Sequence, residues 1–200
     1  MWLRSALGEA VAAHPDELVW KLLKDGFAKT CYDGQYFYDT DHPVIEADGG
    51  ATTVSNSGGG NGTAWFLMDL RGTAKPLVFQ QRKRADNIVR KDREEDDNVF
   101  MRREFLYGVH ARSNVGFGLW QKAYGSKQTL DKANFKAAYQ ALEGMKGDYG
   151  RPLGIVPTHL VVPPALREAG LEILNAERDA NGATNVWRGT AELVVVPWLA

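Results

Sequence analysis

The sequence predicts an α+β fold, because helical and strand patterns occupy separate stretches of the chain. Apolar residues recur at helical spacing in Leu3–Asp25, whereas Trp65–Leu70 and Leu77–Gln81 are short apolar runs typical of strands. Near the end, a strand pattern passes into a helix pattern at Pro163-Pro164. A hydrophobic content of 44% in 200 residues is enough to bury a sizeable core.

The first helix is predicted over Leu3–Asp25, with a disturbance at His14-Pro15. Pro15, followed by two acidic residues, suits the first turn of a helix that begins there. A proline inside one longer helix would instead kink it. The apolar pattern of Leu18–Leu23 fits both alternatives.

A glycine-rich segment, Asp48–Thr63, is predicted to be a flexible surface loop. It holds six glycines among sixteen residues and few apolar side chains that could offset the entropy of ordering it. Gly58–Gly60 could in principle cradle a phosphate, but no Lys-Ser/Thr pair follows and no strand–helix context surrounds it.

A charged segment, Arg82–Glu104, carries fifteen charges in 23 residues, and the two signs occur in blocks. One interpretation is a solvated loop, which is usual for charge runs. The other is a seam between subunits, in which basic blocks meet acidic blocks of a neighbour. The acidic run would repel phosphates, so a nucleic-acid patch is not predicted. The candidate interface residues are Arg82, Lys83, Arg84, Glu94, Glu95, Asp96 and Asp97.

Two further elements follow the charged segment. The alternating pattern of Val99–Gln121 predicts a long antiparallel hairpin with its turn at Ser113-Asn114, and Gly116 and Gly118 indicate a bulge or a close approach in its second strand. Helical spacing then predicts a helix over Asp131–Met145.

The closing unit, Pro157–Leu199, reads as strand, helix and strand. His159–Val162 is the first strand, and Pro163-Pro164 ends it and presets a first helical turn. Leu193–Val196 is predicted to lie in the same sheet. The helix, Pro164–Ala176, should bury Leu166, Ile173 and Leu174.

No catalytic, cofactor or metal site is predicted. Asp39, Asp41 and His42 form the best metal candidate, but aspartates in a turn before Pro43 explain the same pattern. Cys31 is predicted to be a buried, inert thiol, and one cysteine cannot form an intramolecular disulfide. No G-x-S-x-G or H-E-x-x-H motif is present. The net charge of −1 gives no general attraction to nucleic acid, and no apolar run approaches the roughly 18–20 residues that span a membrane.

Five consecutive blocks carry a resemblance that covers the whole chain. The blocks resemble, in the family order, the Mu-like phage major head subunit gpT, a major capsid protein of the Hong Kong 97 type. They are HPDELVWKLLKDGF (His14–Phe27), CYDGQYFYDTDHPV (Cys31–Val44), WFLMDLRGTAKPLVFQQR (Trp65–Arg82), DDNVFMRREFLYGVHARSNVGFGLWQKAYG (Asp96–Gly125) and the closing unit.

The resemblance implies a division into two capsid domains. Residues 1–30 would be the spine helix of a peripheral domain, 31–75 an axial segment with the glycine-rich loop, 76–125 peripheral strands with the charged loop, and 126–200 axial helices and strands. The N-terminal arm and the extended loop of the family would be lacking.

The resemblance also implies a function without enzymatic activity: self-assembly into an icosahedral head around double-stranded DNA. Partners would be copies of the chain, a scaffold, a maturation protease, a portal and non-specifically packaged DNA, in a virion assembled in the bacterial cytoplasm. The short chain is expected to fold but to form only monomers or small, salt-sensitive rings. The alternatives are a nanocompartment shell of the same fold, or an enzyme, indicated by Cys31, His42 and aspartates clustering in a pocket.

Overall fold

The computed structural model describes residues 2–179 and 181–200, with side chains described from residue 5. Helices and sheets are both present, which confirms the mixed class. The helices are α1 (Trp2–Asp25), α2 (Asp97–Arg102), α3 (Lys132–Glu143) and α4 (Arg167–Leu174), and the strands are β1 (His42–Ile45), β2 (Ala51–Val54), β3 (Ser57–Gly60), β4 (Trp65–Met68), β5 (Leu77–Lys83), β6 (Ile88–Lys91), β7 (Leu106–Val109), β8 (Arg112–Phe117), β9 (Ala123–Lys127), β10 (His159–Val162) and β11 (Glu192–Val195).

The chain forms two compact units. Unit 1 comprises residues 2–19 and Phe79–Gly116, and unit 2 comprises Trp20–Val78 and Phe117–Ala200. In unit 1, β6 pairs with β7 in antiparallel fashion, and β5 pairs with β8. Unit 2 holds the β1–β2 pair and a five-stranded sheet.

The five-stranded sheet has the order β11-β10-β4-β9-β3 and carries the core of unit 2. Its central strand, β4, is buried along its whole length, as the unbroken apolar run of Trp65–Met68 requires. The β4 pairings with β9 and β10 are antiparallel, whereas β3–β9 and β10–β11 are parallel. Phe135, Ala138, Tyr139 and Leu142 form the buried face of α3.

The closing unit forms as the sequence predicts. β10 and β11 are parallel neighbours in one sheet, with Leu160 opposite Leu193. A 3-10 turn from Pro164 to Leu166 leads into α4, which buries Ile173 and Leu174. Leu166 is only half-buried, because it lies in the 3-10 turn at the margin of the helix.

Helix α1 is continuous through Pro15, which decides between the two alternatives for the first helix. It ends at Asp25, whose carboxylate pairs with the Lys29 ammonium at 3.0 Å. At the following Gly26, a Cβ would lie 2.9 Å from the ring of Tyr38, so only glycine lets the chain leave the helix at this point without moving that ring.

The prediction of a flexible loop over Asp48–Thr63 is wrong, because this segment contributes two strands. β2 pairs with β1, and β3 forms an edge of the five-stranded sheet beside β9. The glycines permit close strand approach rather than mobility: a Cβ at Gly58 would meet Ser126 Oγ at 2.5 Å, and one at Gly60 would meet the Lys127 backbone at 2.5 Å. The spacing of apolar residues does not indicate these two strands, because backbone pairing rather than a buried apolar face holds them in place.

The predicted hairpin over Val99–Gln121 is also wrong. Its first part is the helix α2, and β7 and β8 pair with β6 and β5 rather than with each other. Ser113-Asn114, the predicted turn, lies within β8. The period-2 pattern agrees with β7 and β8 but not with α2, and it does not specify which strands pair. The expected close approach holds at Gly118, where a Cβ would lie 2.1 Å from the Lys75 carbonyl oxygen.

Asp69, the residue that follows β4, carries a buried carboxylate. It accepts two hydrogen bonds from the Arg71 guanidinium, at 2.9 and 3.0 Å, and one from the Val156 N–H at 3.3 Å. Burial raises the pKa of Asp69, but these hydrogen bonds and the nearby Lys122 ammonium outweigh it, so the pKa lies below its ordinary value. Asp69 thereby ties the loop after β4 to the segment before β10.

We expect Gly125→Ala to lower the free energy of unfolding by about 1–3 kcal/mol, as overpacking of a core does. A Cβ at Gly125 would lie 2.6 Å from Cγ of the buried Tyr38 ring. Gly108 in β7 is a matched strand glycine with nothing within 4 Å of its virtual Cβ. Gly108→Ala should change stability by less than about 0.5 kcal/mol. Urea unfolding of the two variants makes the comparison, and equal losses would contradict the packing shown for Tyr38.

We expect acid to remove the stability that Asp69 contributes. Because its folded pKa is depressed, the contribution is complete above the unfolded pKa and is lost as the pH falls through the folded value, from about pH 4 downward. Asp69→Asn should cost about 1–3 kcal/mol at neutral pH. The variant should also show a shallower loss of stability than the native chain between about pH 4 and pH 2. Parallel acid titrations of the unfolding midpoint test both effects, and curves of equal slope would contradict the assignment.

Candidate subunit interface

In unit 1, the elements β6, α2 and β7 contain no buried residue, and we call this part the extension. Asp96 precedes α2, and its carboxylate accepts the Arg93 N–H at 3.0 Å. α2 is followed by Arg103, which adopts the left-handed conformation with φ 56°. The Asn98 side chain donates to the carbonyl oxygens of Lys91 and Glu104, so one amide joins the end of β6 to the start of β7.

The extension presents large apolar side chains to solvent. Phe100 is 80% exposed and Met101 is 77% exposed, both on α2. Val89 and Leu106 lie on one face of the β6–β7 ladder, because Val89 pairs with Gly108 and Leu106 with Lys91. We call the exposed set Val89, Phe100, Met101, Phe105 and Leu106 the apolar tip. Large apolar side chains exposed within one short part of a chain mark a surface that can associate.

The charged residues singled out by the sequence lie at two places in unit 1. Arg82 and Lys83 end β5, and Arg84 follows it. The acidic block Glu94–Asp97 leads into α2, beside Phe100 and Met101 in sequence. Apart from the half-buried Asp96, these side chains are exposed. Among the described side chains, no ion pair joins the basic block to the acidic block.

Sequence reasoning missed the apolar tip. The alternation of Phe100, Phe105 and Tyr107 predicts a hairpin strand with one buried face. The available signal was compositional: bulky apolar residues stand inside a run that is otherwise charged. Such a mixture suits an apolar contact surrounded by polar groups.

A second cluster gathers side chains that the sequence named separately. Cys31 Sγ lies 3.0 Å from Asp33 Oδ1, and His42 Nδ1 lies 2.7 Å from Asp33 Oδ2. Asp39 and Asp41 do not join this cluster. Asp39 accepts the Tyr36 and Thr40 N–H groups at 3.1 and 2.7 Å, which confirms its role in a turn.

The cluster of Cys31, Asp33 and His42 is a poor catalytic centre in its present form. Cys31 is half-buried rather than buried, and desolvation together with its hydrogen bond to Asp33 raises the pKa of the thiol to about 11. The thiol is therefore protonated at neutral pH and is a weak nucleophile. His42 is fully buried, and its two ring nitrogens lie against Asp33 and Asn56.

Residues 2–199 match the family of the Mu-like prophage major head subunit gpT. The chain belongs to this family. The major capsid protein of Escherichia phage Mu is 41% identical across 96% of this chain and 66% of its own length. The Mu-like prophage FluMu major head subunit of Haemophilus influenzae is 42% identical across 90% of this chain and 60% of its own length.

A solved structure shows the same likeness. A chain in the procapsid of bacteriophage JBD30 superposes with a TM-score of 0.85 and 44% identity, over 98% of this chain and 67% of that one. The fold is thus that of a phage capsid protein. This gpT-family chain spans about two thirds or less of the length of the two curated relatives. No helix in the described part is long and apolar enough to cross a membrane.

Proposed function

We propose that the chain is a structural subunit of an icosahedral phage head, which self-associates and works through its surfaces rather than through catalysis. Family membership and the likeness to a procapsid chain support this proposal. So does the raised pKa of the Cys31 thiol, which removes the most obvious nucleophile. Virion location, host-cytoplasmic assembly, and partnership with scaffold, protease, portal and double-stranded DNA belong to the same proposal and rest on the family alone.

We also propose a Hong Kong 97-type division, in which unit 1 serves as the peripheral domain and unit 2 as the axial domain. The five-stranded sheet with the closing strand–helix–strand unit supports the axial assignment. The first half of α1 and the strand pairs of unit 1 support the peripheral assignment. The spine helix would then contribute its first part to unit 1 and its last turns to unit 2.

The apolar tip is the proposed contact with a second copy of the chain. The observation that carries this proposal is the exposure of Phe100 and Met101 on a short helix that buries none of its residues. The charges around the tip are of both signs, so that a second copy can offer complementary charges to each block. A polar rim around an apolar centre is the usual anatomy of such a contact.

The free energies of apolar burial and of ion pairing show whether the apolar tip or the charged seam is the main source of affinity. Burying a Phe or Met side chain contributes about 1.5–3 kcal/mol, whereas an exposed ion pair contributes only about 0–1 kcal/mol. The tip therefore supplies most of the association free energy. The charged blocks retain a different role, which is to steer two copies together and to set their register. These blocks are Arg82–Arg84 and Glu94–Asp97.

We expect the double variant Phe100→Ser, Met101→Ser to remain monomeric at concentrations at which the native chain associates. Because both side chains are exposed, the variant should fold normally. Val186 in unit 2 is a matched control, since it is 78% exposed and lies outside the tip. Val186→Ser should associate like the native chain in sedimentation velocity. Association of the double variant at native strength would rule out the tip as the contact.

We expect salt to change the rate of association more than its equilibrium. Raising ionic strength from about 0.1 M to about 1 M shortens the screening length from about 10 Å to about 3 Å. Steering by the charged blocks should then weaken, while the apolar contact persists. Light scattering after mixing measures the rate, and sedimentation measures the equilibrium. Complete dissociation at high salt, reproduced by reversing Glu94–Asp97 to lysine, would instead establish the charged seam as the source of affinity.

A further inference from the structure

We propose that Cys31, Asp33 and His42 bind one Zn²⁺ ion, with a water molecule as the fourth ligand. The thiol sulfur, a carboxylate oxygen and the imidazole Nδ1 all lie within 4.8 Å of one another. The proposal revises the sequence-based expectation of no metal. It also selects different residues, because Asp33 replaces Asp39 and Asp41 beside His42.

A tight turn after α1 presents two of the three donors from one side. The Cys31 N–H donates to the Gln35 carbonyl at 2.8 Å, and the Gly34 N–H donates to the Cys31 carbonyl at 3.1 Å. Gly34 has φ +87°, which glycine adopts without strain. The turn brings Cys31 Sγ to 3.0 Å from Asp33 Oδ1, so both side chains point into the same space.

The third donor, His42, is held rigidly. Its ring is fully buried and stacks on Trp120 at 3.9 Å between centroids, with 8° between the ring planes. Its Nε2 lies 3.2 Å from Asn56 Oδ1. A ring fixed by packing and by a hydrogen bond to its far nitrogen is the usual support of a metal-binding histidine.

The hydrogen bonds of Asn56 determine which histidine nitrogen faces the metal site with a lone pair. The Asn56 amide nitrogen lies 2.8–3.2 Å from three carbonyl oxygens, those of Phe37, Trp120 and Ala123, so it must be the donor end. The end that faces His42 is therefore the oxygen, which requires a proton on Nε2. That tautomer leaves the Nδ1 lone pair directed at Asp33 Oδ2, 2.7 Å away.

The Nδ1 lone pair and Asp33 Oδ2 therefore converge on one position, with Cys31 Sγ beside it, and a cation can occupy that position. Zinc binding there would release the thiol proton to solvent. With zinc–nitrogen bonds of about 2.0 Å and zinc–sulfur bonds of about 2.3 Å, the donors must separate to about 3.3–3.7 Å. Asp33 and Cys31 belong to a turn with exposed neighbours, Tyr32 and Gly34, which allows this adjustment.

A cleft of about 380 Å³ borders the cluster and gives a route for the ion and its water. Asp33 and Trp120 both line it. Lys122 also lines the cleft, but its ammonium donates to the Arg71 carbonyl and lies 3.9 Å from the Asp69 carboxylate. This lysine is therefore engaged away from the Asp33 carboxylate.

The donor set selects the metal class. Thiolate and imidazole ligands favour zinc over magnesium and calcium, which prefer oxygen alone. The three ligands join the turn after α1 to the first residue of β1, so that the ion would act as a structural cross-link. The expected consequence is a more stable unit 2, since an ion that binds only the folded chain stabilises it.

The test uses Co²⁺ as a spectroscopic substitute for zinc in the purified, reduced chain. The native chain should bind one equivalent, show the near-ultraviolet band of thiolate-to-cobalt charge transfer, and lose that band on adding zinc. Cys31→Ser is conservative at a half-buried site, and it should abolish the band. It should also weaken binding by more than the roughly 10–100-fold that loss of an outer partner costs. The control is Asp41→Asn, adjacent in sequence to His42 but outside the cluster, which should bind like the native chain.

Thermal unfolding gives a second measurement that does not depend on the spectrum. Zinc should raise the melting temperature of the native chain and of Asp41→Asn, and it should leave that of Cys31→Ser unchanged. Folding of each metal-free variant is checked by circular dichroism. Failure of the native chain to bind one equivalent in excess cobalt would overturn the proposal. So would binding that Cys31→Ser leaves intact, because the sulfur would then not be a ligand.

Discussion

The buried amide of Asn56 is the interaction on which the architecture of unit 2 depends. Its nitrogen donates to the carbonyls of Phe37, Trp120 and Ala123, and its oxygen accepts the Asp39 N–H at 2.9 Å and faces His42. A buried polar group left without any partner costs about 1–3 kcal/mol. One side chain thus joins the turn before β1, the start of β9 and the segment between β2 and β3.

The dependence of unit 2 on the Asn56 amide explains why some of its elements could be predicted from the sequence and others could not. The closing unit is encoded locally: Pro163-Pro164 ends a strand, and Ile173 and Leu174 follow at helical spacing. β3 is not encoded in that way. Its order comes from the Asn56 amide and from glycines that let its backbone lie against β9, and neither has a periodic apolar signature.

The same contrast holds at the candidate interface and at the cluster of Cys31, Asp33 and His42. The charged segment Arg82–Glu104 is visible in the sequence, and its role at an interface stays a prediction. Alternation predicts a strand at Phe100, which instead lies on a solvent-exposed helix. Cys31 and His42 are both conspicuous in the sequence, but their proximity depends on a turn and on the stacking of His42 against Trp120. Contacts between residues far apart in sequence have no local signal, so only the fold reveals them. The apolar side chains contribute more free energy to a contact than the exposed charges do, because burying apolar area outweighs pairing charges in water.

The β6–β7 extension has a consequence for the way a large particle can be built without errors. A two-stranded ladder is only marginally stable alone, and this one carries apolar side chains that water solvates poorly. In the proposed contact between copies, immobilising these exposed side chains consumes part of the free energy gained, which weakens each individual contact. Weak contacts dissociate quickly. In the proposed head, a misplaced subunit would then leave before its neighbours trap it, and a lasting lattice would need many such contacts to form together.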